Sequence, residues 1–232
     1  MKLEDSCKPI INLTLVLLLF YCSNLFVLIP INLFNIDVNN CGNLIYSLLV
    51  FFPNIVLSTF LFFFYRKDLK EEFKVFKSKI GEFTDIGFKN WLLGYILMIV
   101  SNFLIISFSP LQTPENEQNV RTLISMSPFI SFIFAVFVGP FVEEMIFRKS
   151  FKEAIKSKWL FILVSGIVFG SLHVIDSITS LYELLYIIPY SCLGIAFSKT
   201  HYDTNNIFSS ILIHIFHNFT SIIMVFLSSG GI

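Results

Sequence analysis

The residues best suited to chemistry in this sequence are ionisable side chains that interrupt apolar stretches. Glu143, Glu144 and Arg148 follow one apolar run. Three of the four histidines lie inside later apolar runs: His173, His214 and His217. Ionisable groups at membrane depth are costly and usually serve a function. Together these residues form a candidate active site within a membrane.

Helical spacing predicts different surroundings for the two adjacent glutamates. The sequence predicts one long helix from 128 to about 156, slightly disturbed at Gly139 and the proline after it. In such a helix Glu144 and Arg148 are four residues apart and face each other, a spacing that supports an ion pair. Glu143 points about 100° further round the helix. It has no evident partner in its own segment, which leaves this carboxylate free to act as a general base.

Helix depth places other polar residues near the same level. If the apolar runs on either side of Ser157 form a hairpin, Glu143 and His173 both lie ~21–24 Å from the turn, and their side chains can meet. On the last apolar run, His214 lies ~15 Å beyond the preceding polar segment, and Asn218 is one turn further along the same face. We therefore expect a glutamate, two histidines and an asparagine from three helices to converge.

The composition places these residues in an integral membrane protein. The chain of 232 residues is 55% hydrophobic, with 29 phenylalanines and a formal net charge of zero. This exceeds the apolar content of an ordinary soluble domain, and the neutral charge indicates no nucleic-acid partner. The expected fold is all-α, a polytopic bundle of about seven transmembrane helices. The runs long enough to cross ~30 Å of hydrocarbon are 10–34, 44–64, 89–109, 127–150, 159–176, 180–198 and 205–228. An eighth helix, or a first run that lies along the surface, is the alternative.

The basic residues predict the orientation. Most Lys and Arg residues lie between the second and third runs and between the fourth and fifth. The segments 35–43 and 176–180 contain none, and 110–126 contains only Arg121, so these are expected to be external loops. By the positive-inside rule the N-terminus should be cytoplasmic. The abundance of Ile, Asn, Lys and Phe favours a bacterial source, and hence a bacterial plasma membrane.

The remaining segments complete the predicted organisation. Residues 67–85 mix charged with apolar side chains at helical spacing, which is typical of an amphipathic helix on the inner membrane surface. The polar segment 199–203, with His201, is expected to be a solvated loop. The four cysteines show no ligand spacing and are interpreted as packing residues. We divide the chain into 1–126, with the N-terminal helices and the amphipathic segment, and 127–232, the catalytic core.

Three short motifs carry a resemblance to a known family. They are Glu143-Glu144-x-x-x-Arg148, Phe169-x-x-x-His173 and His214-x-x-x-Asn218, in this order and each in an apolar run. Together they resemble the motifs of the CPBP family of intramembrane proteases, also called the Abi family, which includes CAAX prenyl proteases and bacteriocin-processing proteins. The likeness covers roughly residues 127–228 and shows no departure at the motif positions. One such motif alone is weak, but the three in order are specific.

The resemblance implies hydrolysis of a peptide bond by a helical membrane fold with a cavity open to the cytosol. It assigns activation of a water molecule to Glu143 and His173, and stabilisation of the oxyanion to His214 and Asn218. The implied substrate is a membrane-associated peptide or a lipidated, CAAX-like protein, in contact with membrane lipid, and no cofactor is expected. We interpret the other polar or motif positions as structural supports: Glu144, Arg148, Phe169 and His217.

A zinc-dependent form of the same protease is an alternative. Glu143, His173 and His214 would make a site of one carboxylate and two histidines, with an open position for water. The sequence has no HExxH motif, and the family resemblance favours glutamate-dependent hydrolysis.

Other interpretations compete with catalysis. A non-catalytic bacteriocin self-immunity or scaffolding protein would keep the fold and tolerate loss of Glu143. An ion or proton transporter would spread its ionisable groups across the bilayer, whereas here they collect in one layer. At single positions, Glu143 could be an interfacial carboxylate and His173 a satisfied core histidine. His214 with Asn218 could form a polar clamp between helices.

Overall fold

The computed structural model describes residues 3–108, 115–175, 178 and 181–228, which are almost entirely helical and contain no β-strand. Seven helical stretches within these residues are long and apolar enough to cross a membrane. This confirms the predicted all-α bundle of seven helices in a multi-pass membrane protein. The stretches are Cys7–Phe34, Gly42–Phe64, Ile80–Phe108, Pro128–Ala154, Lys158–Ile175, Leu181–Thr204 and Ile207–Leu227.

The first stretch is interrupted near its middle. Helix α1 (Leu3–Cys22) passes through a 3₁₀ turn (Ser23–Val27) into α2 (Leu28–Phe34), which ends where Asn35 adopts a left-handed backbone with φ 48°. Pro30 lies in the first turn of α2, where a missing N–H is tolerated. Helix α3 (Gly42–Phe64) is the second membrane-length helix.

A short helix joins the second and third membrane-length helices. Helix α4 (Arg66–Ser78) buries Leu69 and Phe76, and α5 (Ile80–Phe108) begins two residues after it ends. The predicted amphipathic helix over 67–85 is therefore too long, because residues 80–85 belong to α5. Apolar positions continue across the junction, where the rings of Phe76 and Phe83 lie 6.4 Å apart, so periodicity alone shows no boundary.

The segment 110–126, predicted as an external loop, is helical over most of its length. Residues Glu115–Met126 form helix α6, in which Glu117 and Arg121 pair at 2.6 Å across one turn. Such pairs at i,i+4 support helix formation. Residues 110–114 of this predicted loop, and all of the predicted loop at 176–180 except Ile178, lie outside the described residues.

The fourth membrane-length helix, α7 (Pro128–Ala154), is continuous as predicted but contains two π-helical stretches. The first (Phe134–Val138) begins before Gly139, where only a slight disturbance was expected, and the second (Met145–Ser150) was not expected. Helix α8 (Lys158–Ile175) follows after three residues. The hairpin at Ser157 is therefore confirmed.

The segment 199–203, predicted as a solvated loop, is helical. Helix α9 (Ile187–Thr204) follows a 3₁₀ turn (Leu181–Tyr186), and α10 (Ile207–Ser228) begins three residues after α9 ends. Segment 199–203 is thus the last turn of α9 and not a loop. His201 is only 2% exposed, and its ring lies 6.2 Å from that of Phe161. Thr200 is also buried, and the charged Lys199 and Asp203, which keep 38% and 22% of their side-chain surface exposed, explain why the segment resembled a solvated loop.

Glycines bring α8 and α9 into backbone contact. A Cβ on Gly166 would lie 2.6 Å from the backbone nitrogen of Ile195, and one on Gly170 would lie 2.5 Å from that of Ser191. On the other helix, a Cβ on Gly194 would lie 2.5 Å from the carbonyl oxygen of Gly166. Small residues allow this close approach in membrane bundles. The helices that carry Phe169 and Phe197 are therefore held in a fixed relation.

Candidate active site

The two glutamates of α7 lie in different surroundings. The Glu144 side chain is fully buried, whereas that of Glu143 keeps 28% of its surface exposed. Both residues lie between the two π-helical stretches, a type of irregularity that is frequent at functional sites. The accessible carboxylate is Glu143, the one predicted to act as a base.

The predicted pairing of Glu144 with Arg148 is present. Arg148 Nη2 lies 3.3 Å from Glu144 Oε1, and both side chains are fully buried. The guanidinium also lies over two aromatic rings, 4.5 Å from the centre of Phe169 and 5.7 Å from that of Phe197, where cation–π attraction is favourable. Among the described residues, none accepts a hydrogen bond from the guanidinium nitrogens of Arg148. Charge and aromatic contact, not hydrogen bonding, therefore hold Arg148.

His214 of α10 lies between the two glutamates. Its Nδ1 is 2.9 Å from Glu144 Oε1, and its Nε2 is 3.6 Å from Glu143 Oε2. A carboxylate can only accept, so Nδ1 carries a proton and donates to Glu144. The ring is 3% exposed and stacks on Phe197 with centroids 4.5 Å apart. Glu144 thus fixes the orientation of the imidazole, and Nε2 faces Glu143.

His173 of α8 does not contact Glu143 directly. Its Nδ1 lies 2.9 Å from the carbonyl oxygen of Phe169, one turn earlier, and its ring stacks on Tyr190 at 4.9 Å. The Phe169 ring contacts both His173, at 4.4 Å, and His214, at 5.7 Å. The two histidines therefore both lie beside the Phe169 ring, whereas the hairpin depth predicted that His173 and Glu143 could meet. No hydrogen bond or ion pair joins His173 to Glu143 within the described part of the chain.

Asn218 is tied to the first π-helical stretch. Its Nδ2 donates to the carbonyl oxygen of Ala135 at 2.7 Å. One of the two amide protons is therefore used to hold α10 against α7, and the second remains for another acceptor. The predicted polar clamp and the predicted oxyanion donor are thus compatible roles for the same side chain.

Serine hydroxyls accompany the second π-helical stretch. Ser150 donates to the carbonyl oxygen of Met145 at 3.1 Å, and Ser165 of α8 donates to that of Phe147 at 2.6 Å. Side chains that satisfy carbonyl groups allow an irregular helix to be buried. The irregular winding beside Glu144 and Arg148 is therefore stabilised by residues of both α7 and α8.

His217 lies apart from the glutamates. Its Nδ1 accepts a hydrogen bond from Trp91 Nε1 at 3.4 Å, and its ring lies 6.0 Å from Tyr95. Both partners belong to α5, so His217 joins α10 to α5. This contact agrees with the structural role predicted for it.

The geometry does not assemble the alternative zinc set. The described residues contain no group of three or more His, Cys, Asp or Glu side chains placed to hold a metal ion. His173 directs Nδ1 to a backbone carbonyl and His214 directs Nδ1 to Glu144, which leaves Nε2 of each ring free, as in metal-bound histidines, so these two contacts do not decide against zinc. In this conformation Glu143, His173 and His214 are not placed together closely enough to hold a zinc ion.

Two aromatic residues that sequence reasoning did not single out help to build the site. Phe197 of α9 covers both Arg148 and His214, and Tyr190 stacks on His173. Both lie in a segment rich in apolar residues, where nothing in the spacing distinguishes a packing ring from a ring beside a histidine. Their roles depend on the glycine contacts between α8 and α9, which the sequence does not reveal.

A surface cavity of about 700 Å³ opens beside α4 and the turn between α9 and α10. Its lining includes Glu71, Glu72 and Asn206 but none of Glu143, His173, His214 or Asn218. This cavity is therefore separate from the candidate active site.

Comparisons with known proteins agree with the three motifs. Residues 125–220 match the sequence profile described as "Type II CAAX prenyl endopeptidase Rce1-like". This segment contains all eight residues singled out at the sequence level. The predicted resemblance to the family that includes CAAX proteases is confirmed.

Several curated proteins are similar over longer or shorter parts of the chain. An uncharacterised protein of Mycoplasma capricolum is 27% identical over 85% of this chain and 61% of its own length. YdiL of Bacillus subtilis, whose name describes it as a candidate membrane peptidase, is 29% identical over 47% of this chain and 43% of its own length. The UPF0177 protein YbdI of Lactococcus lactis is 29% identical over 53% of this chain and 69% of its own length.

The chain thus spans about three fifths and two fifths of the first two of these relatives. No solved structure matches it at a significant level.

Proposed function

Because residues 125–220 match the Rce1-like profile of type II CAAX prenyl endopeptidases, we propose that this chain is an intramembrane endopeptidase. Its substrate would be a membrane-associated peptide or a lipidated, CAAX-like protein. The observation that carries the proposal is the position of His214, with Nδ1 bonded to buried Glu144 and Nε2 3.6 Å from the accessible Glu143.

Glu143 is the proposed general base. It removes a proton from water, and the hydroxide attacks the carbonyl carbon of the scissile peptide bond. The carbonyl oxygen becomes an oxyanion. When the tetrahedral intermediate collapses, the C–N bond breaks and the leaving nitrogen takes the proton held by Glu143. The products are a carboxylic acid and an amine. His173, with Nδ1 committed to the Phe169 carbonyl, offers Nε2 to hold the attacking water.

His214 and Asn218 are the proposed oxyanion donors. A carboxylate bonded to Nδ1 stabilises the imidazolium form and fixes its orientation, as in hydrolases with a Ser-His-Asp triad. The Nε2–H of His214 then donates to the oxyanion, together with the second N–H of Asn218. In this state Glu143 holds the proton from water and is neutral, so Arg148, Glu144, His214 and the oxyanion alternate in charge and sum to zero, which suits a buried site.

The test is a peptide-cleavage assay on the full chain reconstituted in lipid vesicles. The substrates are quenched fluorescent peptides that end in Cys-a-a-X. Peptides with a farnesyl group on the cysteine are compared with the same peptides without it. The panel contains wild type, Glu143→Gln, His173→Ala, His214→Ala and Asn218→Ala. Asp85→Asn serves as the control, because Asp85 is an exposed carboxylate that pairs with Lys89 at 2.6 Å, outside the site.

Loss of a general base lowers the rate by roughly 10²–10⁴-fold, and loss of one oxyanion donor by roughly 10²–10³-fold. We expect Glu143→Gln and His214→Ala to fall in these ranges and Asp85→Asn to cleave like wild type. Cleavage by Glu143→Gln at the wild-type rate would show that the assigned base is wrong.

A chelator separates this mechanism from the zinc alternative. Activity that is unchanged by chelator supports glutamate-dependent hydrolysis, whereas loss with chelator and recovery with zinc would favour a metal site formed in another conformation. If no peptide is cleaved, a self-immunity assay with Glu143→Gln decides for the non-catalytic alternative when the variant still protects cells from the bacteriocin.

A further inference from the structure

Glu72 of α4 contacts both helices that carry the candidate catalytic groups, although it lies outside the site. Its side chain is 18% exposed. The neighbouring Glu71 is 69% exposed and pairs with Lys74 on the same helix. Two adjacent glutamates of one helix thus have different partners, and only Glu72 joins separate elements.

One set of contacts connects Glu72 to the start of α10. Its Oε2 accepts the backbone N–H of Ile207 at 2.5 Å, and its own carbonyl oxygen accepts Asn206 Nδ2 at 2.7 Å. The first amides of a helix have no partner within it, and a carboxylate there also interacts favourably with the helix dipole. His214 follows Ile207 by two turns, ~10 Å along the axis. Glu72 therefore fixes the beginning of the helix that carries His214 and Asn218.

A second contact connects Glu72 to α7. Its Oε1 accepts Lys149 Nζ at 2.7 Å, and Lys149 is only 12% exposed. Lys149 follows Arg148 directly in the second π-helical stretch. Just before α4, the hydroxyl of Tyr65 lies 2.9 Å from Ser150 Oγ, and burial raises the pKa of Tyr65 to about 12, so its proton is retained. The same stretch of α7 is thus bound twice to α4 and the residue before it.

We propose that Glu72 is a positioning residue for the proposed peptidase reaction. By accepting hydrogen bonds from Lys149 and from the first amide of α10 at the same time, its carboxylate sets the relative position of α7 and α10. These are the helices that meet in the Glu144–His214 contact of 2.9 Å and the Glu143–His214 contact of 3.6 Å. The kinetic test of this inference rests on the proposed function, whereas its test by hydrogen exchange does not.

The size of the effect follows from the geometry of catalysis. A displacement of about 1 Å in a catalytic group, caused by a change far from the chemistry, can lower the rate by roughly a hundredfold. Glu72 never touches the substrate in this arrangement. Its loss should therefore lower kcat and leave KM close to the wild-type value.

The experiment uses the full chain with four single variants. Glu72→Ala removes both contacts, and Glu72→Gln keeps one oxygen for the α10 amide but loses the charge that holds Lys149. Lys149→Met removes the α7 contact alone. Glu71→Gln is the matched control, because it changes the adjacent glutamate without touching α7 or α10. Each is measured for kcat, KM, thermal unfolding and backbone hydrogen exchange in the segment that begins at Ile207.

We expect kcat to fall by roughly ten- to a hundredfold in Glu72→Ala, by less in Glu72→Gln and Lys149→Met, and not at all in Glu71→Gln. Hydrogen exchange at the start of α10 should increase in Glu72→Ala and stay unchanged in Glu71→Gln. The double variant Glu72→Ala/Lys149→Met should lose less than the sum of the single losses, since the two side chains share one contact.

Two results would overturn the proposal. One is wild-type kcat in a folded Glu72→Ala protein, and the other is a loss of activity equal in Glu72→Ala and Glu72→Gln with no change in hydrogen exchange. If the wild type cleaves no peptide, the proposed function fails separately. The hydrogen-exchange comparison between Glu72→Ala and Glu71→Gln then decides whether Glu72 positions α10.

Discussion

At the scale of single residues, the buried pair of Glu144 and Arg148 links structure to chemistry. Glu144 accepts from His214 on one side and faces Arg148 on the other. Removing one member of a buried ion pair leaves an uncompensated charge, which costs far more than replacing both members together. Glu144 therefore holds His214, and Arg148 places a positive charge beside the buried carboxylate.

A double-mutant cycle tests this dependence. Arg148→Met should lower the free energy of unfolding by about 3–5 kcal/mol, because Glu144 stays buried without its cation. The double variant Glu144→Gln/Arg148→Met should recover much of that loss, since the amide oxygen of the introduced glutamine would still accept from His214 and no isolated charge remains. Chemical denaturation in detergent provides the measurement. Equal losses in the single and double variants would contradict the argument.

Some contacts of the candidate site could be predicted from the sequence, and others could not. The pairing of Glu144 with Arg148 followed from a spacing of four residues. The bond between Glu144 and His214 could not be predicted, because it depends on how two distant helices are rotated against each other. The burial of His201 was mispredicted because the charged residues Lys199 and Asp203 of the same turn are partly exposed and made the segment resemble a loop.

At the scale of elements, the close contact of α8 and α9 explains how the aromatic shell of the site is held. Phe169 lies on α8 and Phe197 on α9, and both rings cover Arg148. The glycines between these helices let the backbones approach until side chains of normal length reach Arg148 and His214. An added methyl group at the contact should push the helices apart.

Substitution of Gly170 tests this packing. A Cβ on Gly170 would lie 2.5 Å from the backbone nitrogen of Ser191, whereas a Cβ on Gly81 meets nothing within 4 Å. We expect Gly170→Ala to lower the free energy of unfolding by about 1–3 kcal/mol through overpacking. Gly81→Ala should be neutral or slightly stabilising, because Ala favours helices over Gly. Thermal unfolding in detergent, followed by circular dichroism, compares the two. A stable Gly170→Ala protein would show that α8 can move away from α9 at little cost.

The membrane-length helices could be predicted from the sequence, whereas the irregular turns within them could not. Long apolar runs gave all seven membrane-length helices, since each must satisfy its own backbone in lipid. The helix Glu115–Met126 was missed because its polar composition resembles that of a loop. The two π-helical stretches of α7 leave no pattern in residue types that differs from an ordinary apolar helix.

At the scale of the whole molecule, the end of the bundle that contains α4 collects the charged contacts. Lys149 pairs with Asp68 and Glu72, and Lys158 pairs with Asp203. By the positive-inside rule, this end is expected to face the cytoplasm. The orientation determines the side from which a substrate reaches Glu143, so it is worth measuring independently of activity.

Two native cysteines allow that measurement. Cys7 lies near the N-terminus and Cys41 lies between the first two membrane-length helices, and both are free thiols. In variants that keep one of them and replace the other three cysteines by serine, a membrane-impermeant maleimide should label Cys41 in intact cells and Cys7 only after permeabilisation. The reverse pattern would place α4 outside and require an external approach to the site.

The two π-helical stretches of α7 change the direction in which the side chains after them point. Each π-helical stretch accommodates residues that a regular helix of the same length would not hold, and one extra residue rotates all that follows by about 100°. A helical wheel drawn with uniform spacing from Pro128 therefore places Glu143 on the wrong side. Deleting a single residue within 134–138 should therefore let this stretch wind as a regular helix of the same length, with Glu143 still facing His214. In this helix, the winding before the glutamates is as important to the site as the glutamates themselves.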